Sequence, residues 1–161
     1  MWIWDPKVTG LKFEPNYVNP VYRMMVDSAL QWEKIASSPS WGQSQKVLGS
    51  AEGITHIMTS RQMGKTTDLK KLFLENSEVS FLVGRPEQLS SEGSLYPCRN
   101  QVLTFRDFND EYRFRGFRRD SLKYIFIDGY SFCAPDLQRK IAQTIITLAG
   151  RFELEHVFIV D

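Results

Sequence analysis

The stretch from Ile54 to Phe73, ITHIMTSRQMGKTTDLKKLF, limits the fold more than any other part of the chain. Its apolar run, begun at Gly53 as GITHIMT, has the character of a buried strand and stops at Met58. A polar loop follows and ends in Gly64-Lys65-Thr66-Thr67. Then TTDLKKLFLEN takes up a helical period that sets Leu69, Leu72 and Phe73 on one face. A strand that runs through a short loop into a helix is half of a βαβ unit, which builds parallel sheets.

The rest of the chain repeats that alternation. EVSFLVG is a second strand, QVLTF a third, and LKYIFID a strongly apolar fourth that ends in Asp128. APDLQRKIAQTIITLAG is a helix. Pro135 stands near its start, Leu137, Ile141, Ile145 and Leu148 form its stripe, and Gly150 is its expected stop. EHVFIVD is a last strand. The fold class is therefore α/β, a mainly parallel sheet with flanking helices.

Residues 53–161 form that core, and residues 1–52 an N-terminal helical arm packed on it, within one domain. Residues 1 to 19 are rich in aromatics and prolines and read as irregular. Asn19-Pro20 supplies an N-cap and a proline at the first helical position. Val21, Met25, Ala29, Trp32 and Ala36 then share a helical face, which ends around Ser37. Residues 38 to 52 read as a loop.

Composition narrows the functional classes. The chain of 161 residues is 42% hydrophobic and 24% charged, enough to bury a core. A net charge of +1 gives no global field for nucleic acid or membrane, so such a surface would be local. Cys98 and Cys133 make no metal-ligand spacing and suit a reducing compartment. The start, MWIWDPK, lacks the order of a secretory signal, and no apolar run reaches the roughly 18 residues a membrane helix needs. The expectation is a cytoplasmic protein without a membrane segment.

The loop before the helix carries chemistry. A phosphate-binding loop has the form G-x-x-x-x-G-K-[ST] between a strand and a helix. Gly64, Lys65 and Thr66 supply its second half, and Thr59 stands where the first glycine would be. A β-branched residue there must avoid a positive φ. In such a loop the backbone N–H groups of residues 62 to 66 face a phosphate, helped by the helix N-terminus. Lys65 reaches the β- and γ-phosphates, and the Thr66 hydroxyl ligates Mg²⁺. The nucleotide-contacting set is Ser60, Gln62, Met63, Gly64, Lys65, Thr66 and Thr67. The plainer alternative is a Gly-Lys-Thr at an ordinary helix start.

Asp128 is the second element. A phosphate-loop protein needs an acidic residue at the tip of a neighbouring strand to hold Mg²⁺. Asp128 ends YIFID in that manner. It could instead cap the next turn.

These two motifs, in this order, carry a resemblance. SRQMGKTT resembles the variant Walker A loop of the large terminase subunits that package viral DNA, where the first glycine is frequently replaced. EYRFRGFRRDSLKYIFIDGYSF is similar to the segment that leads into that family's Walker B strand. The likeness spans residues 54 to 133. It implies a phosphate-loop NTPase fold, a phage or viral origin, an ATP site at Lys65, Thr66 and Asp128, and a sensing or catalytic role for Arg61 beside Lys65. Mg²⁺ is the implied metal, held by Thr66 and Asp128. A homo-oligomer or a phage protein partner is also implied.

The departures bear on turnover. Terminases follow the Walker B aspartate with a glutamate that activates water, and this chain has Gly129 there. Asp136 and Asp161 are the carboxylates that could stand in, if the fold brings them near. The chain is too short for a terminase nuclease domain. GKTTDLKKL with FIDGYSFCAPDLQRKI is also similar to thymidine kinases, but that family carries the same glutamate and a zinc site with paired cysteines. Three functions follow: a minimal terminase-like ATPase, a nucleoside kinase, or a module that binds nucleotide, nucleic acid or protein without hydrolysis.

Residues 105 to 124 hold Arg106, Arg113, Arg115, Arg118, Arg119 and Lys123 interleaved with Phe105, Phe108, Tyr112, Phe114 and Phe117. That mix can track DNA with its cations and stack bases on its rings. It can also supply an arginine to a neighbouring subunit's phosphates. An edge hairpin with aromatics inward is the simpler expectation, since Asp107, Asp110, Glu111 and Asp120 temper the charge. His56 is expected at the core or strand edge, Met24 and Met25 in helix packing, and Trp2 and Trp4 as anchors of the arm on its own domain or a partner.

Overall fold

The computed structural model describes residues 11–36, 54–58, 65–86, 101–110, 114, 116–118, 120–152 and 154–161, with side chains of 31–36 excepted. Five strands form one sheet: β1 Ile54–Ile57, β2 Ser80–Gly84, β3 Val102–Thr104, β4 Tyr124–Asp128 and β5 His156–Val160. Their spatial order is β1-β5-β4-β2-β3, and every neighbouring pair is parallel. The expected α/β class with a parallel sheet is the observed one.

Residues at all positions of β2, β4 and β5 are buried. Strands covered on both faces read as near-continuous apolar runs, and FLV, YIFI and VFIV supply them. Alternate residues serve opposite layers. Tyr124, Phe126 and Phe158 join one core cluster, and Ile125, Ile127, Val157 and Ile159 join the other. Phe126 and Phe158 stack across β4 and β5 with centroids 4.9 Å apart.

Four helices flank the sheet: α1 Pro20–Ala36, α2 Lys65–Glu75, the short α3 Phe105–Phe108, and α4 Pro135–Arg151. Leu69, Leu72 and Phe73 of α2 pack on the first layer together with Val21, Met25 and Ala29 of α1. Ile141, Ile145 and Leu148 of α4 pack on the second. Connections that leave β1 and β4 therefore cover opposite faces. In α/β folds, ligands bind at the carboxyl ends of the strands where such connections diverge.

The N-terminal segment is tied to α2 by buried polar groups. Asp68, wholly buried, accepts from the Tyr17 hydroxyl at 3.1 Å, the Asn19 amide at 3.0 Å and the Tyr22 backbone N–H at 3.2 Å. Tyr22 is the third residue of α1, so a carboxylate from α2 satisfies one of the free donors in that helix's first turn. At the other end of α2, Asn76 accepts from Lys12 N–H and donates to Lys12 C=O, both at 2.7 Å. The Tyr22 hydroxyl donates to Glu75 at 2.5 Å, and Lys71 pairs with Glu14 at 2.7 Å.

Some expected boundaries move. Gly150 does not stop α4; the helix continues to Arg151, and the Phe152 N–H closes it on Leu148 C=O at 2.8 Å. An isolated glycine costs a helix about 1 kcal/mol, which burial of the α4 stripe outweighs. The first residues of EVSFLVG form a short 3-10 turn, Ser77–Val79, before β2. No edge hairpin forms at Phe105–Phe108. That segment is helix α3, whose first turn is capped by Thr104 accepting from the Asp107 N–H at 3.2 Å. Met25 is fully buried as expected, but Met24 is 49% exposed.

Candidate functional site at the strand ends

Lys65 and Thr66 open α2, one connection beyond β1. Asp128 ends β4, two strands across the sheet. The fold brings them near one another: the Thr66 hydroxyl and the Lys65 charge both act on the Asp128 carboxyl and favour its ionised form. Thr67 follows on the exposed side of the helix. Ser60, Arg61, Gln62, Met63 and Gly64 lie outside the described residues, as does Thr59.

Asp128 is only 3% exposed. Burial pushes its pKa above the ordinary carboxylate value, although the Thr66 hydroxyl and the charges of Lys65, Lys70 and Arg85 pull the other way. The ionised carboxylate thus stands under-solvated beside a hydroxyl oxygen. Two hard oxygen ligands side by side are what Mg²⁺ prefers.

Asp128 does not cap the turn that follows it. Gly129 takes the cap position of the 3-10 turn Tyr130–Phe132, which has no side-chain cap bond of its own. The carboxylate that serves this turn is Asp161, accepting from the Ser131 N–H at 3.0 Å. Of the two roles open to Asp128 from sequence, capping is taken by another residue.

Gly129 has φ +85°, in the left-handed region. Any side chain there is strained, so the backbone itself accounts for a glycine at this position.

The two alternative carboxylates separate clearly. Asp136 lies on the surface and pairs with Arg139 one turn along α4. Asp161 follows β5, between β1 and β4, and its N–H bonds to Ile57 C=O at 2.9 Å. Its side chain also bonds to His56. Burial acts to raise Asp161, but the bonds from Ser131 and His56 outweigh it and hold the carboxyl below its usual value. His56 is at the strand edge, as expected, with this partner.

Two residues that sequence reasoning did not single out join the site. Phe132, 65% exposed, carries the Lys65 ammonium 5.9 Å from its ring centroid and the Arg85 guanidinium at 5.2 Å. Arg85 directly follows β2. Its position beyond an apolar strand was the available signal, because ligands bind at strand ends.

The Arg/aromatic segment contributes to the core. Phe105, Phe108 and Phe114 are buried, and Phe114 meets Phe81 at 5.3 Å and Phe108 at 6.2 Å edge to face. These three rings present no face to a base. Arg118 pairs with Asp120 at 3.0 Å. Arg113, Arg115, Arg119 and Tyr112 are outside the described residues. Cys133 is a free thiol, and Cys98, Trp2 and Trp4 are outside the described residues. Among the described residues no three His, Cys, Asp or Glu cluster as a metal site, and no helix is long and apolar enough to cross a membrane.

No protein-family model matches the chain, and no curated protein matches it.

Proposed function

We propose that this chain is a phosphate-loop protein that binds magnesium-ATP, similar in plan to the ATPase domain of a terminase. One observation carries the proposal: Lys65 and Thr66 at the start of α2 lie near enough to Asp128 at the end of β4 to act on its carboxyl. Their nearness, with the turn after β4 served by Asp161 instead, supports the metal-binding reading over the capping one.

In this role Lys65 neutralises phosphate oxygens at the helix N-terminus. Thr66 and Asp128 hold Mg²⁺, which when bound neutralises charge on the phosphates. Arg61, within the loop, contacts the γ-phosphate. Turnover is the weaker part of the function. Gly129 offers no base, and Asp161 is engaged by His56 and Ser131. Loss of a positioned general base lowers a rate by roughly 10² to 10⁴. Binding with slow hydrolysis is the expected behaviour, with a phage DNA-packaging role or a regulatory one as the context.

Calorimetric titration with ATP, with and without magnesium, tests this. Wild type binds with magnesium, and Lys65→Ala does not. Absence of wild-type binding would sink the proposal. Phosphate release stimulated by DNA assigns the motor role, and phosphorylation of thymidine assigns the kinase.

A further inference from the structure

We propose that Arg85 is a further phosphate-binding residue of this site, directed at the terminal phosphate of a nucleoside triphosphate, and that Phe132 is the ring on which Arg85 and Lys65 rest between ligands. This rests on the nucleotide function proposed above.

Two cations share one ring. The Arg85 guanidinium stands 5.2 Å and the Lys65 ammonium 5.9 Å from the Phe132 centroid. The two arrive from distant elements, β2 and α2, and meet over a short turn that follows β4. Both charges also favour the ionised Asp128, so the two cations and this carboxylate form a site that a phosphate with its metal can join. A cation–ring contact at an exposed position is weaker than a charge-assisted hydrogen bond to phosphate, so phosphate competes well for these cations.

The sheet order decides which phosphate Arg85 meets. From β1 the strands run β5, β4, β2. Each step is about 4.8 Å. The phosphate loop belongs to β1, Asp128 to β4, and Arg85 to the strand beyond. Val83 pairs with Ile127 in register, so Arg85 leaves the sheet beside the end of β4. A phosphate chain seated at the start of α2, with its metal at Asp128, turns its far end toward β2. The planar guanidinium fork fits two oxygens of that terminal group. Arg85 therefore separates triphosphate from diphosphate, whereas Lys65 contacts both.

Titrations of magnesium-ATP and magnesium-ADP against wild type, Arg85→Ala, Arg85→Lys, Phe132→Leu and Lys65→Ala test this, with thermal melts to check folding. Arg85→Ala weakens ATP about tenfold, equivalent to about 1.4 kcal/mol, and leaves ADP within about twofold. Arg85→Lys retains part of the ATP preference. Phe132→Leu weakens both ligands alike and mildly. If Arg85→Ala and Arg85→Lys melt as wild type does yet change ATP and ADP affinity equally, or not at all, the assignment is overturned. If wild type binds neither nucleotide, the nucleotide function falls and Arg85 with it. If wild type binds and Lys65→Ala does not, a failure at Arg85 condemns this inference alone.

Discussion

Thr66 at the start of α2 stands near enough to Asp128 at the end of β4 for its hydroxyl to favour the ionised carboxylate. Asp128 contributes to this contact at the expense of stability. Burial raises its pKa, so the folded chain binds a proton at Asp128 more readily than the unfolded chain. Its contribution to stability falls as pH rises through the carboxylate range. Asp128→Asn removes the desolvated charge at nearly constant shape. The expected outcome is a higher Tm at pH 7 together with loss of the magnesium dependence of ATP binding. A Tm gain with the magnesium dependence intact would remove Asp128 from the metal site.

In the terminase-like function proposed above Gly129 takes the place of a glutamate, but its φ of +85° gives the residue a conformational reason. Placing a side chain in that region costs about 1–2 kcal/mol. Gly129→Ala should lower stability in urea by that amount. Gly129→Glu should carry the same loss and bring no gain in phosphate release. A neutral Gly129→Ala would show that the turn relaxes, and would restore the idea of a vacated catalytic position.

The sheet was legible because its strands are apolar runs and its helices keep a helical stripe. Leu69, Leu72, Phe73, Ile141, Ile145 and Leu148 all fall where periodicity puts them. The approach of Lys65 and Thr66 to Asp128 is what the motif spacing leads one to expect. Other features have no local signature. Asp68 reads as a helix surface residue, and its burial depends on Tyr17, Asn19 and Tyr22 from a distant segment. Arg85 and Phe132 look unremarkable until strand order makes them neighbours. Gly129 invites a catalytic explanation until its φ is known. Phe105–Phe108 form α3 rather than an edge strand, because Thr104 caps the turn by accepting from the Asp107 N–H.

Asp68 ties the N-terminal segment to the helix that also carries Lys65 and Thr66. Asp68→Ala strips the acceptor from three donors, among them the buried Tyr22 N–H. An unsatisfied buried group costs about 1–3 kcal/mol. Urea denaturation should show a loss of about 2–4 kcal/mol for Asp68→Ala, given one buried donor left bare and two that can partly rehydrate. Asp68→Asn, which keeps one acceptor oxygen, should lose less. Since α2 also presents the candidate phosphate residues, Asp68→Ala should weaken ATP binding as well. Wild-type stability in Asp68→Ala would show that water replaces the carboxylate.

His156 makes the fold sensitive to acid. It is 3% exposed at the start of β5, and its Nε2 meets the Thr55 hydroxyl at 2.6 Å. Its Nδ1 has no hydrogen-bond partner. Burial lowers its pKa from 6.5 to about 3, because a charged imidazole would lie between β1 and β4 without water. Between those values the unfolded chain binds a proton that the folded chain does not. The contribution of a neutral His156 is therefore complete above pH 6.5 and is lost as pH falls toward 3. The loss approaches about 1.4 kcal/mol per pH unit. Asp128 and Glu75, both raised by burial, change stability in the opposite sense, so the raw pH profile mixes signs. Comparison with His156→Gln isolates the imidazole, since the variant cannot take the charge and keeps His56. The stability advantage of wild type over His156→Gln should shrink steadily as pH is lowered below 6.5. A pH-independent difference in chemical denaturation would show that His156 gains a proton in the folded protein as easily as in the unfolded one.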